Sequence, residues 1–389
     1  MKYDFDELIN RRNTGSLKWD VPEGELPMWV ADMDFRTAPS VTEAIASRAA
    51  HGIFGYTVLN DEWYGAYQSW WSGRHHFEIE KEWLIFCTGV VPAISSIVRK
   101  MTTVAEKVVV MTPVYNIFFN SVLNNGRNVL ENRLVLEDGV YRIDFEDLEE
   151  KLSDPQTTLL ILCNPHNPVG KIWDRETLER IGDMCARHHV PVLSDEIHCD
   201  LVKPGEEYIP FASVSENCRM NSITCVAPTK AFNIAGIQTA AVIIPNETLR
   251  HKVDRGLNTD EIAEPNVFAA IAPIAAFTEG GEWLDELNQY LWDNRKRAEE
   301  YIDREISGIH AIRGTATYLL WLDCRDVTTD STELSDFFRK HAGLYVSDGN
   351  EYRNGQGFLR MNLACPRKWL EDGLGRLKKG IESYRKSKK

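Results

Sequence analysis

Three polar residues of this sequence each stand just beyond a short apolar run, at spacings of 28 and 35 residues. They are Asn167 after TLLILC, Asp195 after VPVLS and Lys230 after SITCV. A strand-helix-strand unit takes about 30 residues, so the spacing fits three successive parallel strands. The carboxyl ends of such strands meet at one edge of the sheet, where ligands bind. We therefore expect the amide, the carboxylate and the ammonium group to lie at a single site.

The chemistry of this trio points to an aldehyde cofactor with a pyridine ring. A lysine in a site of low polarity has a lowered pKa and can form a Schiff base. An aspartate that faces a pyridine nitrogen keeps the nitrogen protonated and makes the ring an electron sink. An amide NH beside the phenolic oxygen of the ring stabilises its negative charge. The three groups together predict pyridoxal phosphate.

Each of these residues alone also has an ordinary structural explanation. An isolated lysine such as Lys230 is most often a surface residue, and an aspartate after a strand is often a helix N-cap. Asn167 stands between two prolines and would fit a plain turn. His198, three residues after Asp195, would alone fit a partly buried histidine without a chemical role. The joint spacing favours the functional interpretation.

The segments around these residues predict an α/β fold with a mostly parallel sheet. From about residue 84 onward, apolar runs alternate with helical patterns, and the runs are KVVVM, TLLILC, VPVLS, SITCV and AAVII. Between two of the runs, DRETLERIGDMCARHH places Leu178, Ile181 and Cys185 on one helical face. Short apolar strands that alternate with amphipathic helices are typical of a sheet covered by helices on both faces.

The chain of 389 residues is longer than the about 250 to 300 residues at which one core stops growing, so two domains are expected. We assign residues 48–282 to a large cofactor-binding domain, and residues 1–47 with 283–389 to a small α/β domain. The small domain would contain the helical pattern EWLDELNQYLWDNRKRAEEYIDREI, the strand TYLLWLDC, a helix at 333–341, the strand FLRMNLAC and a terminal helix. The stretch DGNEYRNGQG, residues 348–357, is predicted to be flexible.

Composition excludes several classes of function. The 58 acidic and 44 basic residues give a net charge of −14, which argues against a general binder of nucleic acid or anionic membranes. The eight cysteines form no Cys-x-x-Cys pair and no zinc-finger spacing, which is typical of reduced thiols in the cytosol. The start MKYDFDELINRRN has no apolar core, and no apolar run approaches about 18 residues. We therefore expect a soluble cytoplasmic protein.

Several longer motifs resemble one enzyme family. NPHNPVG, SDEIH and APTKAFNIAG are similar to motifs of the fold-type-I aminotransferase family of pyridoxal-phosphate enzymes. LPMWVADMDF, FGYT, DEIH and FNIAG resemble its cystathionine β-lyase branch, the bacterial carbon-sulfur lyases. The resemblance runs from about residue 15 to the C-terminus.

The resemblance implies roles around the cofactor ring. Lys230 would form the Schiff base, Asp195 would pair with the pyridine nitrogen, and Asn167 would pair with the phenolic oxygen. Tyr115, in TPVYNIFF, matches the aromatic residue that stacks on the ring, although plain core packing would also explain it. His198 stands where aminotransferases usually have a tyrosine near the phenolic oxygen, in keeping with the lyase branch.

For the cofactor phosphate, the resemblance implies backbone NH groups at a helix N-terminus, those of Val90 and Val91. Aminotransferases commonly add a serine three positions before the lysine and an arginine eight positions after it. Here these positions hold Ala227 and Gln238, so the phosphate must depend on other groups. The candidates are Thr229 and Tyr56, with Tyr56 supplied by a neighbouring subunit as the family pattern implies.

For the substrate, the resemblance implies contacts from both ends of the chain. Arg360, in FLRMNLA, matches the arginine that binds the substrate α-carboxylate with its planar fork, although an arginine in an alternating strand is otherwise a surface residue. Trp29 and Asp32, in WVADMDF, would lie at the substrate mouth together with Tyr56.

The sequence thus predicts a homodimeric carbon-sulfur β-lyase with shared active sites. Such an enzyme converts cystathionine or related cysteine conjugates into a thiol, pyruvate and ammonia. Two alternatives share the motifs. An aminotransferase would follow the same steps up to loss of the Cα proton, and a regulatory protein would use the fold to bind a partner.

Overall fold

The computed structural model describes residues 2–388. The strands are β1 (Leu26–Pro27), β2 (Leu84–Cys87), β3 (Lys107–Thr112), β4 (Asn128–Arg133), β5 (Val135–Glu137), β6 (Val140–Arg142), β7 (Thr157–Cys163), β8 (Val192–Asp195), β9 (Ser222–Val226), β10 (Ala240–Ile243), β11 (His310–Ala311), β12 (Leu319–Asp323), β13 (Leu344–Tyr345), β14 (Ser347–Asp348) and β15 (Phe358–Asn362). The α-helices are α1 (Pro39–His51), α2 (Asp61–His75), α3 (Val90–Met101), α4 (Ile117–Leu123), α5 (Phe145–Ser153), α6 (Arg175–Arg187), α7 (Glu216–Met220), α8 (Glu247–Thr259), α9 (Val267–Glu279), α10 (Gly281–Glu305), α11 (Ser331–Ala342) and α12 (Arg367–Ser387).

A seven-stranded sheet forms the centre of the molecule, in the order β2-β10-β9-β8-β7-β3-β4. Strand β10 is antiparallel to both of its neighbours, and the remaining pairs are parallel. All five apolar runs in the sequence are strands of this sheet, and β2 and β4 extend it at its two edges. The predicted α/β class with a mostly parallel sheet is confirmed.

The strands of the central sheet are apolar throughout because helices cover both faces. Ile94, Ile97 and Val98 of α3 belong to one core cluster with strand residues such as Val108 and Val110. On the other face, α6 buries the predicted side chains of Leu178, Ile181 and Cys185 in a second cluster. Continuous burial on both faces is what removes the alternating pattern from these strands.

Helix α6 begins where the sequence provides an N-cap. The side chain of Asp174 accepts a hydrogen bond from the backbone NH of Thr177 at 2.8 Å. This bond satisfies one of the free NH groups of the first turn and fixes the start of the helix. Helix α6 connects β7 to the parallel strand β8, so the carboxyl ends of both strands lie at the same edge of the sheet.

A second sheet lies in the C-terminal part of the chain, in the order β11-β12-β15-β14, with antiparallel neighbours. The N-terminal strand β1 pairs in parallel with β13, so both ends of the chain contribute to this region. Helices α11 and α12 pack together beside it. This arrangement is the one expected for the small domain; the division at residues 47/48 and 282/283 stays a prediction.

The stretch 348–357, predicted to be flexible, is instead a packed turn. It contains a short 3-10 helix, Gly349–Tyr352, and the ring of Tyr352 is buried. The side-chain amide of Asn354 donates a hydrogen bond to Thr112 Oγ1 at 2.6 Å, which ties the turn to the end of β3. The polar and glycine-rich composition reflects close backbone contacts rather than flexibility.

No helix within residues 2–388 has the length and apolar character needed to cross a lipid bilayer.

Candidate active site

A cavity of about 260 Å³ lies at the carboxyl ends of β7, β8 and β9. The register of these strands is level, because Cys163 pairs with Asp195 and Asp195 pairs with Cys225. The cavity therefore receives one polar residue from or after each strand, as the spacing predicted. Its walls include eight of the predicted site residues: Val90, Val91, Tyr115, Asn167, Asp195, His198, Thr229 and Lys230.

Lys230 projects into this cavity from the turn after β9 and is half-buried. Its Nζ atom donates a hydrogen bond to the backbone carbonyl of Ala31 at 2.6 Å. Burial lowers the pKa of Lys230 to about 8, the Arg360 cation acts in the same direction, and the carboxylates of Asp32 and Asp195 oppose the shift. An amine that loses its charge near neutral pH can act as a nucleophile and as a base.

Asp195 is the last residue of β8 rather than the residue after it, and its side chain is 5% exposed. The backbone NH of Ile197 donates a hydrogen bond to Oδ1 at 3.1 Å. Burial raises the pKa of Asp195 to about 7; the negative charge of Glu196 adds to the shift, and the Ile197 bond and Lys230 oppose it. A buried carboxylate of this kind would be stabilised by a cationic ring nitrogen in the cavity.

Asn167 and Arg360 meet at the side of the cavity that faces the small sheet. Arg360 Nη1 donates a hydrogen bond to Asn167 Oδ1 at 3.3 Å, and Arg360 Nη2 donates one to the backbone carbonyl of Trp29 at 2.9 Å. The guanidinium carbon lies 5.0 Å from the centre of the Tyr352 ring. Among the described residues no carboxylate lies within 4.0 Å of Arg360, so a buried cation is available to a carboxylate ligand.

The N-terminus of α3 closes another side of the cavity. Gly89 is the N-cap, Val90 is the first helical residue, and the first turn carries no acidic side chain. The backbone NH groups of a first turn have no acceptor within the helix, and the helix dipole adds a partial positive charge there. Thr229 and Gln238 also line this cavity. This set of donors fits a phosphate group.

Tyr115 and His198 complete the cavity as neutral side chains. Burial raises the pKa of Tyr115 to about 12, so the phenol stays protonated at physiological pH. Burial lowers the pKa of His198 to about 3, and the cations of Lys230 and Arg360 add to this shift. The His198 ring contacts the edge of Tyr318, with 6.3 Å between ring centres. An aromatic wall beside Lys230 and Asp195 fits a flat heteroaromatic ring.

Four predicted residues do not line the cavity: Arg360, which binds the cavity residue Asn167, and Tyr56, Trp29 and Asp32. Tyr56 is 104% exposed, so its side chain reaches no site within its own chain. Trp29 stacks on Tyr345 at 4.7 Å and approaches the site through its carbonyl, which binds Arg360. Asp32 forms an ion pair with Arg11 at 2.5 Å. Their proposed contacts with substrate or cofactor therefore stay predictions.

Two residues that contact the site were missed in the sequence. Ala31 lines the cavity and accepts the Lys230 hydrogen bond through its backbone carbonyl. Tyr318 donates a second hydrogen bond to the same carbonyl at 3.0 Å. An alanine side chain gives no signal of a main-chain role. Tyr318 is the second residue of TYLLWLDC, a segment predicted as a strand of the small domain.

The central sheet, the small sheet and the cavity at the carboxyl ends of the central strands define a protein of the fold-type-I aminotransferase class. The chain belongs to the aminotransferase class I and II family, which matches residues 27–377. It is 43% identical to cystathionine beta-lyase PatB of Bacillus subtilis over 386 residues, which span 97% of this chain and 100% of that protein. The family that the sequence motifs predicted is thus confirmed.

Two solved structures resemble this chain along its length. Cystalysin from Treponema denticola, which contains a pyridoxal 5'-phosphate cofactor, has a TM-score of 0.95 at 33% identity and covers 98% of this chain and 100% of its own. The pyridoxal-phosphate-bound C-S lyase from Staphylococcus hominis has a TM-score of 0.91 at 33% identity, with 97% and 98% covered. They confirm the fold class, and their names agree with the predicted lyase activity and cofactor.

Proposed function

We propose that this chain is a pyridoxal-phosphate-dependent carbon-sulfur β-lyase that acts on cystathionine or related cysteine conjugates. The observation that supports this most directly is the arrangement of Lys230 and Asp195 in one buried cavity. Their pKa values of about 8 and about 7 lie near physiological pH. The likeness to cystathionine beta-lyase PatB and to two C-S lyase structures supports the choice of reaction.

The cavity residues fit the parts of the cofactor one by one. The NH groups at the start of α3 and the Thr229 hydroxyl would hold the phosphate. Asp195 would hold a proton on the ring nitrogen, Asn167 would donate to the phenolic oxygen, and Tyr115 would cover one ring face. When bound there, pyridoxal phosphate supplies an electron sink for the electron pair that remains at the substrate Cα.

Lys230 and Arg360 would act on the substrate itself. Arg360 binds the α-carboxylate and so fixes the orientation of the Cα–H bond. The neutral amine of Lys230 takes the Cα proton, so an N–H bond forms as the C–H bond breaks. The Cβ–S bond then breaks, the thiolate leaves with that bond's electron pair, and a carbon-carbon double bond remains. Water converts the released enamine into pyruvate and ammonia.

We propose in addition that two chains form a dimer in which Tyr56 reaches the partner's cavity. The exposure of Tyr56 and of its neighbours Ile53, Phe54 and Val58 supports this assembly. A large domain of residues 48–282, with the remainder as a small domain, is supported by the separate sheets. A cytosolic location is supported by the eight cysteines, all of which are free thiols.

The proposed reaction is tested by incubating the purified chain with cystathionine alone. Thiol and pyruvate should appear in equal amounts without a second substrate. A 2-oxo acid that forms only after addition of an amino acceptor would instead identify an aminotransferase. The Lys230→Ala chain is the control and should release neither product. Absence of both products with the intact, cofactor-loaded chain would contradict the proposal.

A further inference from the structure

The carbonyl of Ala31 is the one group that the Lys230 amine contacts directly among the hydrogen bonds of the described residues. It accepts from Lys230 Nζ at 2.6 Å and from the Tyr318 hydroxyl at 3.0 Å. The two donors are far apart in sequence, and Tyr318 immediately precedes β12 of the small sheet. One backbone oxygen therefore connects the reactive lysine to the second half of the molecule.

The position of this carbonyl is fixed from outside its own segment. The side-chain amide of Asn362, at the end of β15, donates to the carbonyls on both sides of Ala31, those of Val30 at 2.6 Å and Asp32 at 2.7 Å. Asn233 binds Met33, the residue after Asp32, because its Oδ1 accepts a hydrogen bond from the Met33 backbone NH at 2.9 Å. Residues 30–33 form no strand or helix, so these side chains hold the segment in place.

The environment of Tyr318 keeps its hydroxyl protonated, so that it can donate the hydrogen bond to Ala31. Its side chain is 2% exposed, and burial raises its pKa, so the hydroxyl keeps its proton. Leu319, the next residue, pairs with Asn362 across the small sheet. The hydroxyl, just before β12, and the Asn362 amide, at the end of β15, therefore act on one short segment. Without the hydroxyl, Lys230 is the one donor to the Ala31 carbonyl among the described residues.

We infer that the Ala31 carbonyl holds the released Lys230 amine in line with the substrate Cα, and that Tyr318 is a positioning residue for this proton transfer. The inference rests on the proposed function, in which Lys230 takes the Cα proton. One N–H bond of the amine is committed to Ala31, which restricts rotation about the Cε–Nζ bond and so limits the directions in which the nitrogen lone pair can point. The small sheet thereby contributes to a step carried out by a residue of the large sheet.

The experiment compares the holoenzyme with its Tyr318→Phe and Tyr384→Phe variants. Tyr384 is a matched control, because it is buried and its hydroxyl donates at the same 3.0 Å distance, but to Glu333 in the C-terminal region. Exchange of the Cα proton of L-alanine in deuterium oxide is followed by NMR, since alanine has no leaving group. Thiol release from normal and α-deuterated cystathionine gives kcat, KM and the isotope effect.

Tyr318→Phe should retain the cofactor on Lys230, with KM unchanged, while Cα exchange and kcat fall about tenfold, the value of one hydrogen bond. Its isotope effect should rise, because proton transfer becomes the slow step. Tyr384→Phe should match the wild type in every kinetic readout. A Tyr318→Phe chain that exchanges at the wild-type rate, or that fails to bind the cofactor, would overturn the inference. A wild-type holoenzyme that neither exchanges nor releases thiol would instead refute the proposed function.

Discussion

At the residue scale, the cavity moves the pKa values of an acid and a base toward each other. Burial disfavours the charged form of each group, so it lowers the pKa of Lys230 to about 8 and raises that of Asp195 to about 7. In water their ordinary values are 10.5 and 3.8. Burial of both groups in one cavity thus prepares a base and a partner for a cationic ring.

The lowered pKa of Lys230 predicts the pH dependence of cofactor loading. Schiff-base formation needs the neutral amine, which is the minor form below pH 8. The rate at which the cofactor-free chain binds pyridoxal phosphate should rise about tenfold per pH unit from pH 6 to 7 and level off above about pH 8. Stopped-flow absorbance measures this rate.

The control for this prediction is the same reaction with free Nα-acetyl-lysine. Its amine keeps an ordinary pKa, so its rate should continue to rise well beyond pH 8. Because both reactions use the same cofactor, the comparison accounts for any effect of cofactor ionisation on the rate. A protein reaction that rises in parallel with the free lysine would show that the Lys230 pKa is not lowered.

The role of Asp195 predicts a selective loss in the Asp195→Asn chain. Without the carboxylate the ring nitrogen tends to lose its proton, and the ring becomes a poorer electron sink. The variant should keep its cofactor but lose turnover by about a hundredfold or more. Pyruvate release from cystathionine measures the loss, and absorbance measures the cofactor.

Asp174→Asn offers a matched control for the same exchange. Asp174 is the N-cap of α6, and asparagine caps a helix about as well as aspartate. This second variant should therefore turn over at the wild-type rate. Wild-type turnover in Asp195→Asn would show that the carboxylate has no role in the reaction.

At the element scale, the packed turn Gly349–Tyr352 supports the substrate side of the cavity. A Cβ atom on Gly349 would lie 2.1 Å from the carbonyl oxygen of Gly355 and 2.3 Å from that of Phe358. Neither oxygen can move without opening the turn. This segment also positions Tyr352, whose ring centre is 5.0 Å from the Arg360 guanidinium.

Gly349→Ala should therefore destabilise the chain by about 1 to 3 kcal/mol and raise KM for the amino-acid substrate. Gly375→Ala is the control, because a Cβ there meets no atom within 4 Å and the residue lies inside α12. That change should be neutral or should stabilise the helix by about 0.5 to 1 kcal/mol. Chemical denaturation and steady-state kinetics test both variants. Equal stability of the two variants would contradict the close packing of the turn.

At the scale of the whole molecule, residues 53–58 form the most exposed apolar segment near the predicted active-site motifs. Tyr56 and Val58 are 104% and 85% exposed, and Ile53 and Phe54 are 66% and 58% exposed. An exposed apolar segment of this kind is typical of a protein interface. A closed two-fold dimer would bury it twice through the same contact.

Shared sites predict that two inactive chains can restore each other. Lys230→Ala and Tyr56→Ala chains should each have little activity alone. If Tyr56 serves the partner's cavity, their heterodimer has one site with both residues intact, and co-expression should restore up to half of the activity per dimer. Differently tagged chains allow purification of the heterodimer, and thiol release measures its activity.

The matched control is a Lys230→Ala and Asp195→Asn heterodimer. Lys230 and Asp195 line the same cavity of one chain, so each site of this heterodimer carries one defect. It should remain inactive. A Lys230→Ala and Tyr56→Ala heterodimer that is equally inactive would mean that Tyr56 serves its own chain's site or none.

The sequence by itself determined the sheet and the convergence of its polar residues. Apolar runs at the spacing of strand-helix-strand units require parallel strands, and parallel strands end at one edge. The level register of Cys163, Asp195 and Cys225 follows from that regularity. The sequence alone therefore places Lys230, Asp195 and Asn167 at one site.

Only the tertiary structure decided which groups surround the Lys230 amine. The Ala31 carbonyl is a group that every residue carries, so no residue type marks it. Tyr318, which donates to that carbonyl, lies 287 positions away in the chain, and Asn362 fixes the adjacent carbonyls from another strand. The order of residues 348–357 was also decided by packing. Gly349 lies against the backbone of Gly355 and Phe358, and Asn354 binds Thr112 at the end of β3. Local patterns encode periodicity, whereas these contacts depend on how separate elements pack.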